Sequence, residues 1–361
     1  MEYNATSLWV SRIVEWGRGY VGHPAVAALC TLGWIPVVCT VVAVDPGEAS
    51  TAFLVGQALA ALMVVGAPFD VWYFDERLLP GFFEDVDGIT ADEDLGVLED
   101  LADRYDTYYS RYWWASTLVW VVLVLLVFVI GQPYFRSQGI TTPVERAAYL
   151  GFFCYWLLFA GLRSHGGLLT ALVIREFAER VSLDVDPLHP DGLGGLSAVG
   201  SFAIRMTVIT SLGSLALPLS FQIANHIQYE SVVYVGVALF VMLVALNFLY
   251  PTYKVNRRAQ ELRDRMLDAH RERIRELEAR LSLLTRGEGA AFRDGDLPDD
   301  ALAETDDELL EMEIRRARRE FEDYQNVQLY PLSIGIITRL VSSILLPVFF
   351  ILFELFVTGS L

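Results

Sequence analysis

Lysine is almost missing from this chain: Lys254 is the only one, against 26 arginines. Cysteine is nearly as scarce. Cys30, Cys39 and Cys154 form no CxxC pair, which excludes a zinc ribbon, a dithiol redox motif and a disulfide-stapled fold. No GxSxG elbow, HExxH helix or Walker glycine loop occurs, so no catalytic residue, metal ligand or cofactor is expected. The N-terminus lacks a basic stretch followed by an apolar core and a cleavage site, and no signal peptide is expected. Positive charge is also in deficit, with 27 basic against 45 acidic residues and a net charge of −18. A phosphate backbone demands a basic face, so nucleic-acid binding is excluded as the main task. Low lysine with abundant Asp and Glu resembles the composition of salt-in halophilic archaea.

Hydrophobic residues are abundant. They make up 54% of the 361 residues, and the mean hydropathy is +0.40 although 20% of residues are charged. The charge is therefore concentrated in a few segments. The others carry apolar runs long enough to cross about 30 Å of hydrocarbon. They predict spans at 25–44, 50–74, 113–135, 147–173, 198–224, 231–253 and 329–357. The fold class is thus all-α, a polytopic seven-transmembrane-helix membrane protein with a cytoplasmic helical stalk. Its expected parts are a cytoplasmic interfacial helix (1–24), a six-span bundle (25–253), a cytoplasmic helical hairpin (254–328) and a seventh, pore-forming helix (329–361). Thiols buried in lipid are expected at the three cysteines, since all lie within spans.

Orientation follows from Lys and Arg between the spans. With the N-terminus inside, the cytoplasmic segments hold Lys254 and most of the arginines, and the external segments only Arg136 and Arg146. The N-terminus is expected inside and the C-terminus outside, in the plasma membrane. Arg163, Arg205 and Arg339 lie in helix ends on the cytoplasmic side, where snorkelling to the interface is the ordinary role. Trp9, Ile13, Trp16 and Tyr20 share one helical face and suggest an interfacial helix. Thr90 and Glu93 read as a capping box for a helix running on into the third span. Leu267, His270, Ile274, Leu277, Leu281 and Leu284 follow heptad spacing, a seam that closes either within one chain or between subunits.

Two stretches carry the functional candidates. The loop from Asp184 to Gly195 packs two further aspartates, His189, Asp191, Gly194 and Gly195 among two prolines, with Arg163 and His165 on the flanking helix. A rigid turn with Asp191 as N-cap is one reading, and a gating or ligand site is the other. In the last span Thr338, Ser342, Leu345, Phe349 and Phe356 line one face, polar at the inner end and apolar further out. That order suits a pore with a dewetting gate, and ordinary packing is the competing account. The hydroxyls of the fifth span (Thr207, Thr210, Ser211, Ser214) read as interhelical hydrogen bonds.

Seven spans, a cytoplasmic N-terminus, short external loops and a cytoplasmic helical extension leading into the last helix resemble the insect odorant and gustatory receptor superfamily. The resemblance covers the whole chain in topology and is carried by no shared motif. It implies a chemoreceptor-like homotetrameric ion channel, its seventh helices lining the pore and its cytoplasmic helices anchoring the assembly. The expected partners are further copies of the chain, the lipid bilayer and an unidentified small ligand or cytoplasmic signal. Two other readings fit the same residues: a pore-forming effector of a prokaryotic antiviral defence system, and a non-channel scaffold or transporter.

Overall fold

A computed structural model of the chain describes residues 7–181, 197–226, 230–291 and 300–326. Every secondary-structure element among them is helical. In chain order these are α1 (Trp9–Val21), α2 (Pro24–Ala43), α3 (Thr51–Asp87), α4 (Leu95–Ile130), the short α5 (Gln132–Ser137), α6 (Pro143–Arg180), α7 (Ser197–His226), α8 (Glu230–Ala291) and α9 (Asp300–Asn326). Five of them, α2, α3, α4, α6 and α7, are long and apolar enough to cross a membrane. This is a membrane-embedded helical protein. Within α8 the shorter apolar stretch Tyr234–Leu246 falls in the sixth expected span. The seventh, 329–357, lies outside the described residues.

The chain divides into two compact units, one holding the helices up to Lys254 and the other residues 255–291 and 300–326. The first is centred on α6, which packs on α4, α2 and α3. From Gly161 to Gly167 every residue of α6 is buried, so that stretch is enclosed on all sides. A capping box starts this helix: Thr142 Oγ1 accepts from the Glu145 N–H (3.2 Å), and Glu145 Oε2 accepts from the Thr142 N–H (2.8 Å). The box expected at Thr90 does not form. Its hydroxyl donates instead to the Val86 carbonyl, and a short 3₁₀ turn, Asp92–Asp94, leads into α4. The run-on into the third span does occur, as α4 is one helix of 36 residues.

Prolines shape the apolar helices. Pro36 has no N–H to give the Leu32 carbonyl one turn back, and a π turn, Leu29–Gly33, precedes it. The Tyr155 hydroxyl of α6 donates to that freed carbonyl at 3.0 Å. In hydrocarbon no water is present to do so. Pro218 likewise follows a 3₁₀ turn, Leu212–Ala216, inside α7.

Helix α1 is held to α3 by polar groups. The buried Asp75 carboxylate accepts from the Leu8 N–H at 2.8 Å, beside the positive end of the helix dipole. Trp72 Nε1 donates to Glu15 at 2.8 Å. Gly22, at φ +76°, ends α1 in the left-handed conformation that glycine adopts without strain. Val10 and Val14 are buried, while Trp16 and Tyr20 are exposed and meet edge to face. That outward aromatic pair is on the face expected to sit at the headgroups.

In the second unit, Leu277 of α8 packs with Ile314 and Ala317 of α9, and Ile274, Leu281 and Leu310 close around them. The heptad seam thus finds its partner within the chain. Arg318 ties to Glu278 at 2.6 Å, and the Arg271 guanidinium lies over the Phe321 ring.

Candidate functional site

Along each of the central helices the same order recurs. One aromatic cluster holds Phe53, Phe128, Tyr134, Phe135, Tyr149 and Phe153, in edge-to-face and tilted contacts. A second holds Phe74, Phe82, Tyr109, Phe177 and Phe202. Between them in sequence on α3, α4 and α6, and beyond Phe202 on α7, lie residues that line a cavity. Its atom-free space, open mouth included, is about 980 Å³. Its walls are Met63, Val64 and Ala67 of α3, Leu123 and Val127 of α4, Trp156 and Ala160 of α6, Gly213 and Leu217 of α7, and Val237 and Phe240 of α8.

Polar groups in the lining are few and converge on α6. Arg163 is 8% exposed and pairs with Asp70 of α3, itself 8% exposed. Two charges taken from water into an apolar bundle are tolerable only as a pair. Ser164 accepts from Trp120 Nε1 at 2.8 Å. One residue on, His165 leaves the lining and stacks on Tyr109, with the ring planes 13° apart. Its Nε2 lies 3.1 Å from the Tyr108 carbonyl, which only accepts, so Nε2 carries the proton. Nδ1 then accepts from the Ser116 hydroxyl at 3.1 Å.

A second polar tie lies beside the first aromatic cluster. The Tyr149 hydroxyl donates to Gln57 Oε1 and Gln57 Nε2 to Thr40 Oγ1, both at 3.1 Å. Gln222 Nε2 donates to the Ala52 carbonyl at 2.8 Å. These bonds join α6, α3, α2 and α7 where lipid offers no competing donor.

Of the candidate residues read from the sequence, Arg163 and His165 are buried groups of α6 on either side of Ser164, with different partners. Arg163 does not snorkel: its charge is spent on Asp70 inside the bundle. Arg205 is exposed. His189, Asp191, Gly194 and Gly195 of the loop, and Thr338, Ser342, Leu345, Phe349 and Phe356 of the pore face, lie outside the described residues, as does Arg339. Three hydroxyls of α7, expected to bridge between helices, donate to carbonyls of their own helix. Thr207 donates to the Ala203 carbonyl, Thr210 to Met206 and Ser211 to Val208, all on their own helix. Cys30 and Cys154 are exposed on the surface of α2 and α6, Cys39 is half-buried, and all three are free. Among the described residues no three metal-ligating side chains come together.

Asp70 is the group that sequence inspection passes over. It is an acid inside an apolar span, which is signal enough to single it out. Its partner, 93 positions away, becomes visible only when α3 and α6 pack. No protein-family model matches this chain, and no curated protein or solved structure is significantly similar to it.

Proposed function

We propose that this protein is a ligand-gated ion channel of the cell membrane, working as a homo-oligomer, with a tetramer as the expected form. The observation that carries the reading is the cavity itself, an apolar chamber in the bundle flanked by a buried Asp70–Arg163 pair. Ionisable groups at such depth are costly and mark functional positions. A pair that spans two helices converts occupancy of the cavity into a change in helix position. The apolar start of α8 and the segment 329–357 supply the sixth and seventh crossings. The distribution of arginine puts the N-terminus and the α8–α9 hairpin in the cytoplasm and the C-terminus outside. Thr338 and Ser342 then line an inner vestibule, and Leu345, Phe349 and Phe356 form the dewetting barrier.

Ion flux from liposomes holding the purified protein tests this. The parent is expected to be tight at rest, and Phe349→Ser to leak constitutively, because a hydroxyl wets the constriction. If Phe349→Ser and Leu345→Ser are both folded and both as tight as the parent, the pore assignment is wrong. A scaffold that docks a cytoplasmic partner is the second reading. It is favoured by one feature of α9: Leu309 and Met312 remain exposed although the seam between α8 and α9 is already filled.

A further inference from the structure

We propose that the bundle carries a belt for anionic phospholipid headgroups, built from Arg77, Arg111 and Arg205 at the end toward which α3 and α6 run. The partner is the phosphate of the lipid itself. The proposal holds whether or not the chain conducts ions.

Ring contacts fix the level of the belt. Phe74 of α3 meets Tyr109 of α4 and Phe202 of α7, with ring centroids 5.0 and 6.5 Å apart, and Gly166 of α6 packs against the same ring. Arg77 lies three residues past Phe74, Arg111 two past Tyr109 and Arg205 three past Phe202. At about 1.5 Å per residue, all three are within about 5 Å of this level along their helices. The same helices have their other ends at Thr51, Ile130 and His226, about 32–36 Å away. That is slightly more than the roughly 30 Å of hydrocarbon, so the level falls among the headgroups. Exposed Tyr108, Tyr112 and Trp114 of α4 flank Arg111, in the manner of an interfacial aromatic belt.

Charge divides by direction at this level. Asp70, Asp75 and Asp106 are buried in the bundle, and Glu76 is half-buried. Arg163 turns inward to Asp70. Arg77, Arg111 and Arg205 are exposed, and among the described residues none of them meets an acid within ion-pair distance. Arg111 only lies over the Tyr112 ring, 6.0 Å from its centroid. Elsewhere exposed or half-exposed arginines find acids on their own helix: Arg18 pairs with Glu15, Arg175 with Glu179 and Arg257 with Glu261. A chain of net charge −18 has acids to spare, so three outward cations left single at one depth call for a counter-charge from outside. The guanidinium fork matches phosphate oxygens two at a time. A zwitterionic headgroup brings its own cation and leaves the arginine uncompensated, whereas an anionic one does not.

The test uses the full-length protein in bilayers of phosphatidylglycerol and phosphatidylcholine, with bromine on the chains of one lipid at a time. Bromine quenches tryptophan on contact, and exposed Trp114 is three residues from Arg111. Phosphatidylglycerol is expected to bind about fivefold tighter than phosphatidylcholine, the attraction of one arginine per headgroup. Equal binding of the two lipids overturns the proposal. Arg77→Gln, Arg111→Gln and Arg205→Gln together should bring the ratio to within about twofold of one, and an unchanged ratio overturns the assignment to these arginines. If that triple variant does not fold, Arg111→Gln alone, beside the reporting Trp114, should lower the ratio, and no change again overturns it. Arg136→Gln, exposed at the opposite end of the bundle, should leave the ratio as in the parent. A loss there as large as in the triple variant overturns the level assigned to the belt. Inorganic phosphate at millimolar concentration should not reduce the preference; if it does, the arginines take free phosphate and the lipid assignment fails.

Discussion

Helices α4 and α6 are of nearly equal length, 36 and 38 residues, and pack against each other, yet they solve opposite problems. The most apolar window of α4 has mean hydropathy 2.5 and is only 17% buried, while that of α6 has 1.5 and is 78% buried. In water the order would be reversed, since burial there is driven by the apolar surface removed from solvent. Here the surroundings are themselves apolar. Leu118, Val119, Val122, Leu126 and Val129 of α4 can face lipid at no cost. The polar and small residues of α6, Gly161 to Gly167, are driven inward because only protein can satisfy them. The buried Arg163, paired with Asp70 of α3, is on the second helix for that reason.

The largest break in this comparison is expected from Arg163→Met, which leaves Asp70 charged and alone in the bundle. The cost should be about 3–5 kcal/mol of stability, seen as loss of folded protein or a steep fall in Tm in detergent. Asp70→Leu combined with Arg163→Met should recover most of it, because an apolar pair replaces an ionic one. A double variant as damaged as the single one would show that the two residues do not act as a unit.

Gly161 comes next. A Cβ there would sit 2.5 Å from Thr117 Cα, so α4 and α6 touch backbone to backbone. Gly161→Ala should push the helices apart and cost about 1–3 kcal/mol. Gly96 of α4 has nothing within 4 Å of the same position, and Gly96→Ala should change stability by less than about 1 kcal/mol. Equal melting temperatures for the two variants would refute the close packing of this pair.

A smaller effect is due at the start of α6, where Thr142→Ala removes one half of the capping box. About 1 kcal/mol should be lost, read by denaturant titration of the helical signal. The smallest belongs to the lipid side: Val122→Ala on α4 should stay within about 0.5 kcal/mol of the parent. A drop of several times that size would mean that this face is covered, for instance by a second copy of the chain.

Much of this contrast is legible in the residues and part of it is not. The apolar runs of the first five spans are visible because twenty consecutive lipid-compatible residues are rare by chance in a chain this charged. Their ends are less so. The third span is expected over 113–135 on a helix that starts before it, and that helix, Leu95–Ile130, ends short of the expected boundary, before the separate short helix Gln132–Ser137. Thr90 and Glu93 have the right letters and spacing for a capping box, yet the 3₁₀ turn carries the start of the helix away from them. The working box at Thr142 and Glu145 has the same pattern, so the motif alone does not decide. The hydroxyls of α7 show the same limit, since an O–H can reach its own helix or a neighbour, and only packing selects.

By itself the sequence determined that this is a multi-span helical membrane protein, because apolar length and charge segregation are properties of consecutive residues. It also placed a helical seam at Ile274, Leu277 and Leu281, since heptad spacing is local. Which helix sits inside was decided by tertiary structure alone. So were the pairing of Asp70 with Arg163, the filling of the seam by Ile314 and Ala317, and the chamber beside Ser164. Those depend on contacts between residues tens of positions apart, and a buried charge becomes defined only once its surroundings exclude water.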